Sequence, residues 1–190
     1  MLVALLLTTL LAGAISDEQA AQPQTEPKAE ELAREGKNEA ALAAFRQRAA
    51  ANPNDLAARV WIGRMHEQMG KPELAEPVYR SIVWEAPDNV DAALRLGTML
   101  LKQGRPDEVV KVLDPAARAE PRNPEVLAVI GVAHLRVSNI KLGLSYLELA
   151  AALAPTPTNL KALERARRAH RAATPEAQPA ASGDIASARQ

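Results

Sequence analysis

Proline recurs at a constant interval of 34 through the middle of this chain, at Pro53, Pro87, Pro121 and Pro155. Two series of glycines keep the same interval, and they are Gly63, Gly97 and Gly131 in one series and Gly36, Gly70 and Gly104 in the other. A fixed period of this size indicates a repeat architecture, in which each unit buries its apolar face by stacking on its neighbours. The interval therefore constrains the fold more tightly than composition does.

One repeat, residues 54–87, divides into two stretches whose apolar residues recur at intervals of three and four, as in an amphipathic helix. Between the stretches, Gly70 suits the left-handed conformation that ends a helix, and Pro72 suits the first turn of the next one. Pro87 ends the second stretch, and Asn89 can cap the helix that follows. Each repeat is therefore predicted to be a helix, a short turn and a second helix.

Corresponding positions of the repeats carry similar residues. They are Ile62, Gly63, His66, Gly70, Ala75, Tyr79 and Pro87 in the second repeat, Leu96, Gly97, Leu100, Gly104, Val109, Leu113 and Pro121 in the third, and Ile130, Gly131, His134, Ser138, Gly143, Leu147 and Pro155 in the fourth. This pattern resembles the tetratricopeptide repeat over about residues 26–173. The resemblance implies an all-α fold, a right-handed α-solenoid of four helix–turn–helix repeats plus a C-terminal capping helix.

The sequence departs from the family pattern at three places. The first repeat keeps Gly36, Phe45 and Pro53, but Pro23 and Pro27 stand where its first helix should begin, so that helix is expected to be eroded. The third repeat lacks aromatic residues, and Ser138 replaces the turn glycine in the fourth. These departures concern local packing, and the predicted repeat domain covers residues 28–173.

Residues 1–15 form an apolar run without charged side chains, too short to cross a bilayer, which needs about 20 residues. The run has the length of the apolar core of a secretory signal, and Ala12, Gly13 and Ala14 form a small-residue cleavage pattern. It is predicted to be a signal peptide or membrane-targeting segment, and a buried N-terminal helix is the alternative. The protein is therefore expected to be exported, periplasmic or membrane-associated in a bacterial envelope.

Residues 16–27 read as a linker, and residues 174–190 are rich in proline, alanine and serine and are predicted to be disordered. Residues 159–173 are predicted to form the capping helix. Its polar outer face is expected to keep the end of the array soluble, and it carries Lys161, Glu164, Arg165, Arg168 and Arg171.

The formal net charge of zero favours neither nucleic acid nor an anionic membrane as a partner. The basic run around Arg165, Arg167 and Arg168 lacks the interleaved aromatic residues that stack on bases, so a solvated face is its expected role. Trp84 is expected to pack on the adjacent loop, whereas an exposed tryptophan would mark a contact surface.

The sequence offers no constellation for catalysis. It has no cysteine nucleophile and no phosphate-binding glycine loop, and six of its nine glycines follow the 34-residue period. His66 and His134 hold the same position two repeats apart, where metal ligands would not converge. No catalytic residue, cofactor, metal or small-molecule substrate is predicted, and the protein is not expected to be an enzyme.

The resemblance implies that the first helix of each repeat lines a concave groove that binds a protein. The lysine and asparagine clamp of the family's co-chaperones is missing, because the only basic residues at matching positions are Arg64 and Arg95. The mostly apolar set suits a peptide or an amphipathic helix of a partner, and its members are Val60, Arg64, Glu67, Leu94, Arg95, Thr98, Leu101, Val132, Leu135 and Arg136.

The predicted function is that of a scaffold or adaptor in the assembly of a cell-envelope complex, of the pilus or secretion type. The alternative is a periplasmic chaperone that holds an unfolded or apo client. A scaffold should bind one folded partner at fixed stoichiometry, whereas a chaperone should bind many apolar segments weakly.

Overall fold

The computed structural model describes residues 26–174, and every regular element in that part of the chain is an α-helix. The predicted targeting segment, residues 1–15, lies outside these residues. So do most of the predicted linker, residues 16–27, and most of the predicted tail, residues 174–190. The predicted architecture of consecutive helix–turn–helix repeats is confirmed. The helices are α1 (Glu26–Arg34), α2 (Asn38–Ala51), α3 (Leu56–Gln68), α4 (Pro72–Glu85), α5 (Val90–Lys102), α6 (Pro106–Ala119), α7 (Pro124–Arg136), α8 (Ile140–Leu153) and α9 (Pro157–Ala173).

The chain divides between Met69 and Gly70 into two compact units, and each is described by itself. Unit 1 contains α1 to α3, and unit 2 contains α4 to α9. Among the helices that the structure describes, in residues 26–173, none is both long enough and apolar enough to cross a membrane.

Unit 1 is held together by α2, which packs against both α1 and α3. The ring of Phe45 is fully buried and stacks on Trp61 with the ring centroids 5.1 Å apart. Arg48 joins all three helices, because its guanidinium donates to Glu30 at 3.2 Å and to Asp55 at 2.6 Å. Asp55 also caps α3, and the hydrogen bond from Arg48 lowers the pKa of its carboxyl. The described residues of α1 are Glu26–Arg34, and the erosion expected upstream of Pro27 lies outside them.

In unit 2 each helix packs against the next, and α7 also packs against both α5 and α9. The core is aliphatic apart from one tyrosine, and its largest fully buried side chains are Tyr79, Ile82, Leu96, Leu100, Val109, Leu113, Val126 and Leu147. The first helices of successive repeats therefore lie beside one another across unit 2.

The turns and caps follow the local signals of the sequence. The turn residues Gly36, Gly70 and Gly104 all have φ between 69° and 75°, the left-handed conformation that glycine adopts without cost. Ser138 takes the same conformation with φ 63°, which strains a residue that has a Cβ. Asn89 and Asn123 cap α5 and α7 by accepting hydrogen bonds from backbone N–H groups of the first turns.

Two helices of unit 2 come into backbone contact at Gly131 of α7 and Gly143 of α8. A Cβ added at Gly143 would lie 2.8 Å from the carbonyl oxygen of Gly131 and 3.0 Å from Leu135 Cδ2. A Cβ added at Gly131 would lie 2.8 Å from Leu147 Cγ and 3.1 Å from the Gly143 oxygen. The two backbones therefore touch, and neither position leaves room for a side chain.

Gly143→Ala is predicted to destabilise the protein by about 1–3 kcal/mol, because a backbone carbonyl cannot rotate away from the added methyl group. This loss should exceed the gain of about 1 kcal/mol that alanine brings to a helix interior. Gly97→Ala is the control, since a Cβ there would meet only side-chain atoms of Leu113 and Val109, at 3.0 Å and beyond. Urea unfolding should separate the two variants. Equal stabilities would contradict the backbone contact.

A cluster of ion pairs joins α4 to the turn after α5 and to α6. The Glu76 carboxylate accepts hydrogen bonds from Arg80 at 2.8 Å, Arg105 at 2.8 Å and Gln103 at 2.9 Å. Glu108 accepts from the same two arginines. Burial acts to raise the pKa of Glu76, but the hydrogen bonds from Gln103, Arg80 and Arg105 outweigh it and lower that pKa to about 2.

The Glu76 cluster is predicted to stabilise the protein above about pH 4.5 and to lose that contribution as the pH falls towards 2. The sign follows from a folded-state pKa below the unfolded one. Both arginines are more than one third exposed, so solvent screening reduces the expected contribution to about 1–2 kcal/mol. Glu76→Gln should lower the free energy of unfolding at pH 7 by about that amount, and the loss should shrink to less than about 0.5 kcal/mol near pH 2, where the folded-state carboxyl is about half protonated.

Chemical denaturation between pH 2 and pH 7 measures this dependence. The exposed Glu73 lies on the same helix, and Glu73→Gln should change stability by less than about 0.5 kcal/mol. A loss in Glu76→Gln that stays constant across the pH range would show that the carboxylate charge is not its cause.

Candidate functional site

Partly exposed apolar side chains lie on the first helices of unit 2. Because α5 and α7 are adjacent and begin one repeat interval apart, their corresponding residues form rows that cross both helices. Leu94 and Ala128 form one row, and Thr98 and Val132 form the next. Thr98 is exposed and the other three are half-buried, whereas the core leucines are fully buried. These four residues define what we call the α5–α7 face.

Two of the predicted groove residues contribute to the core of unit 2 more than to this face. Leu101 is only 9% exposed. Leu135 packs against α8 at the glycine contact and adjoins the buried cluster around Leu147. Val132 also packs against this cluster, but it shares a row with Thr98, so Leu94 and Val132 are the predicted aliphatic residues that lie on the α5–α7 face, both half-buried.

The two predicted arginines of unit 2 are held by neighbouring groups. Arg136 is exposed, and its guanidinium donates to the carbonyl oxygen of Leu101 at the end of α5. A cation at a helix C-terminus also interacts favourably with the helix dipole. Arg95 donates to Asp91 one turn earlier in α5, at 2.9 Å. Both arginines therefore contribute to the architecture of α5.

The three predicted residues of unit 1 lie on α3. Val60 is buried, at 4% exposed. Arg64 and Glu67 are half-buried, and the Arg64 guanidinium lies over the Trp61 ring at 3.8 Å from its centroid. This cation–π contact involves a ring that itself stacks on Phe45, and it fixes the position of the arginine.

Sequence reasoning missed the charged residues at the two edges of the α5–α7 face. Asp91 and Glu125 lie in the first turns of α5 and α7, Lys102 lies in the last turn of α5, and all three are exposed. One repeat interval separates Asp91 from Glu125 and also Lys102 from Arg136, so the interval was the signal that could have found them. Acidic residues near helix starts and basic residues near helix ends also suit the helix dipole.

The histidines take part in packing. His134 stacks on Tyr146 with ring centroids 5.6 Å apart, and burial lowers the pKa of its imidazole. In unit 1, His66 is 5% exposed. Within residues 26–174, no three histidine or carboxylate side chains come together in a way that could hold a metal ion.

The expected packing of Trp84 is wrong, because its side chain is 90% exposed near the end of α4. The sequence places it immediately before the last residue of that helix, and no surface within residues 26–174 covers the indole there. The other large exposed hydrophobic side chains in the described part of unit 2 are Leu74, Leu142, Leu149 and Leu160.

The fold and the partly apolar face of unit 2 define a helical-repeat protein of the class that binds other proteins. Two family models, both described as the tetratricopeptide repeat, match residues 27–90 and 67–132. Together they span more than half of the chain, which belongs to the tetratricopeptide-repeat family. Members of this family typically act as non-enzymatic interaction modules.

Solved structures agree with this fold. TTC0263, a thermophilic tetratricopeptide-repeat protein of Thermus thermophilus, is 22% identical over 79% of this chain and 83% of its own, with a TM-score of 0.62. A MamA fragment from Desulfovibrio magneticus RS-1 is 19% identical over 78% of this chain and 90% of its own, with a TM-score of 0.63. At these identities the likeness concerns the fold alone. No curated protein shows significant sequence similarity to the chain.

Proposed function

We propose that the α5–α7 face binds an apolar segment of a partner protein and that the chain acts as a non-enzymatic scaffold or adaptor. The observation that carries this proposal is the partial exposure of Leu94, Ala128 and Val132 beside a core whose leucines are fully buried. Repeat proteins use such a surface for binding because stacked units present it as one continuous strip.

The dimensions of the α5–α7 face suit a helix of the partner. Adjacent packed helices lie about 8–10 Å apart, and α5 is about 20 Å long at 1.5 Å per residue. A partner helix about 10–12 Å wide therefore fits on the strip. Asp91 and Lys102, at the two edges of the face, lie about 16 Å apart along the axis of α5. They therefore flank a partner helix of this width without obstructing it.

Location in a cell envelope, as part of an assembly factor, is the more specific proposal. It is supported by the apolar run of residues 1–15 and by the small residues Ala12, Gly13 and Ala14 near its end. A partner in a pilus or secretion complex would then meet the protein after export.

Export is tested by fractionating cells that express the chain with a tag after Gln190 and by sequencing the N-terminus of the product. We expect recovery from the periplasm or the membrane, with cleavage following Ala14 if the segment is a signal peptide. A product found only in the cytosol with Met1 retained would contradict export and leave the binding proposal standing.

A periplasmic chaperone is the second candidate. The face is aliphatic and lacks the lysine and asparagine clamp that selects one peptide terminus, which favours tolerance of many sequences. The two candidates differ in stoichiometry. A scaffold yields one partner in a fixed ratio, whereas a chaperone yields many weakly bound clients.

Leu94→Glu is predicted to reduce partner capture at least tenfold while leaving helical circular dichroism unchanged. The reason is that a partly exposed site tolerates the carboxylate in the free protein, whereas a bound apolar segment would bury it unpaired. Leu149→Glu is the matched control, because Leu149 is 45% exposed on α8, away from the face. Capture from envelope extracts, identified by mass spectrometry, is the measurement.

Two results would contradict the proposal. If Leu94→Glu unfolds the protein, Leu94 belongs to the core and the face is not a binding surface. If Leu94→Glu captures its partner normally while Leu149→Glu does not, binding occurs on the α8 side.

A further inference from the structure

The capping helix does not continue the register of the other first helices. The N-caps of α3, α5 and α7 are Asp55, Asn89 and Asn123, which follow the repeat interval, but Thr156, the N-cap of α9, comes one position too early. One residue corresponds to a rotation of about 100° about a helix axis, so this difference changes which side chains of α9 face each neighbour.

Burial supports the shifted register. The buried residues Val126, Ile130 and Ala133 of α7 correspond, at an interval of 33, to Asn159, Leu163 and Ala166 of α9, which are also buried. At an interval of 34 the same residues of α9 would correspond to Glu125, Val129 and Val132, of which one is exposed and two are half-buried. The side chain of Asn159 adds to this fit by donating to the carbonyl oxygen of Ala154 at 2.9 Å, near the end of α8.

The shifted register places a basic row at the end of the α5–α7 face. Lys161 takes the position of Ala128, and Arg165 takes the position of Val132, on a helix that packs directly against α7. Both side chains are exposed, and neither forms a salt bridge within the described part of the chain. The rows that begin with Leu94 and Thr98 therefore end in two unpaired cations.

The helix dipole does not explain this row. Lys161 and Arg165 are the fifth and ninth residues of the 17-residue α9, between its first and last turns, where the dipole favours neither sign of charge. Solubility of the array end does not require this sign either, since acidic residues would serve it equally well. The charge is therefore best explained by what lies on the face.

We propose that the face binds a segment in which an apolar stretch is followed or preceded by acidic residues, with the acidic end lying on Lys161 and Arg165. The argument rests on the function proposed above and specifies the chemistry of the partner. The apolar part covers Leu94 and Val132, and the carboxylates complement Lys161 and Arg165, which form no salt bridge within residues 26–174. Either chain direction satisfies this arrangement, because only the end of the segment on α9 must be acidic.

Three synthetic peptides test the proposal. Each has the same 12-residue amphipathic stretch of leucine, alanine and glutamine, followed by four glutamates, four glutamines or four lysines. We expect the full-length protein to bind the glutamate-tailed peptide about fivefold to tenfold more tightly than the lysine-tailed one at 50 mM salt. This preference should weaken at 500 mM salt, because the contacts are exposed to solvent.

Charge-reversal variants test whether the preference for the glutamate-tailed peptide arises from residues of α9. The double variant Lys161→Glu/Arg165→Glu should prefer the lysine-tailed peptide. The control Arg167→Glu/Arg171→Glu makes the same change in net charge on residues outside the row and should keep the original preference. Circular dichroism melting of each variant shows whether it remains folded. If the charge-reversed variant does not fold, Lys161→Gln/Arg165→Gln replaces it, and this variant should lose the preference without reversing it.

The outcomes separate this inference from the proposed function. Equal affinity for the three tails, with binding still lost in Leu94→Glu, would overturn the role of Lys161 and Arg165 and leave the apolar face intact. An equal loss of preference in the Arg167→Glu/Arg171→Glu control would also overturn it, because the effect would then follow from net charge. No binding of any peptide at 1 mM would overturn the proposed function itself.

Discussion

The contact between the backbones of α7 and α8 fixes the geometry on which the surface of unit 2 depends. At Gly131 and Gly143 the helices approach so closely that neither position can hold a Cβ. This approach brings Leu135 and Leu147 against the glycines and leaves Val132 partly exposed to solvent. The tight pairing of α7 and α8 thus determines which side chains of α7 lie between the two helices.

The local features of the fold were predictable because each depends on a few neighbouring residues. The turn glycines and the asparagine caps follow from preferences that hold in any helical context. The start of α9 was misplaced by two residues, because Thr156 caps the helix and Pro157 begins it. Thr156 before Pro157 is a local start signal of the same kind as Asn123 before Pro124 at α7, and the prediction did not use it.

The candidate site was predictable only as a set of positions. Family positions brought Leu94, Thr98 and Val132 to one surface, but they could not show that Leu101 and Val60 are buried. Arg136 was expected to meet a ligand, and its guanidinium binds a backbone carbonyl of α5. Whether such a side chain is buried or exposed depends on neighbours that are distant in sequence, and a repeat pattern does not identify those neighbours.

The constant spacing of first helices has a consequence for how such a surface can change during evolution. Insertion of one whole repeat between α6 and α7 would lengthen the apolar strip by one helix spacing, about 10 Å, and leave its width unchanged. A partner segment would then need about seven more helical residues to reach the same end of the strip. Repeat number would thus determine the length of the segment, while α9 would still determine which charge its terminal residues must carry.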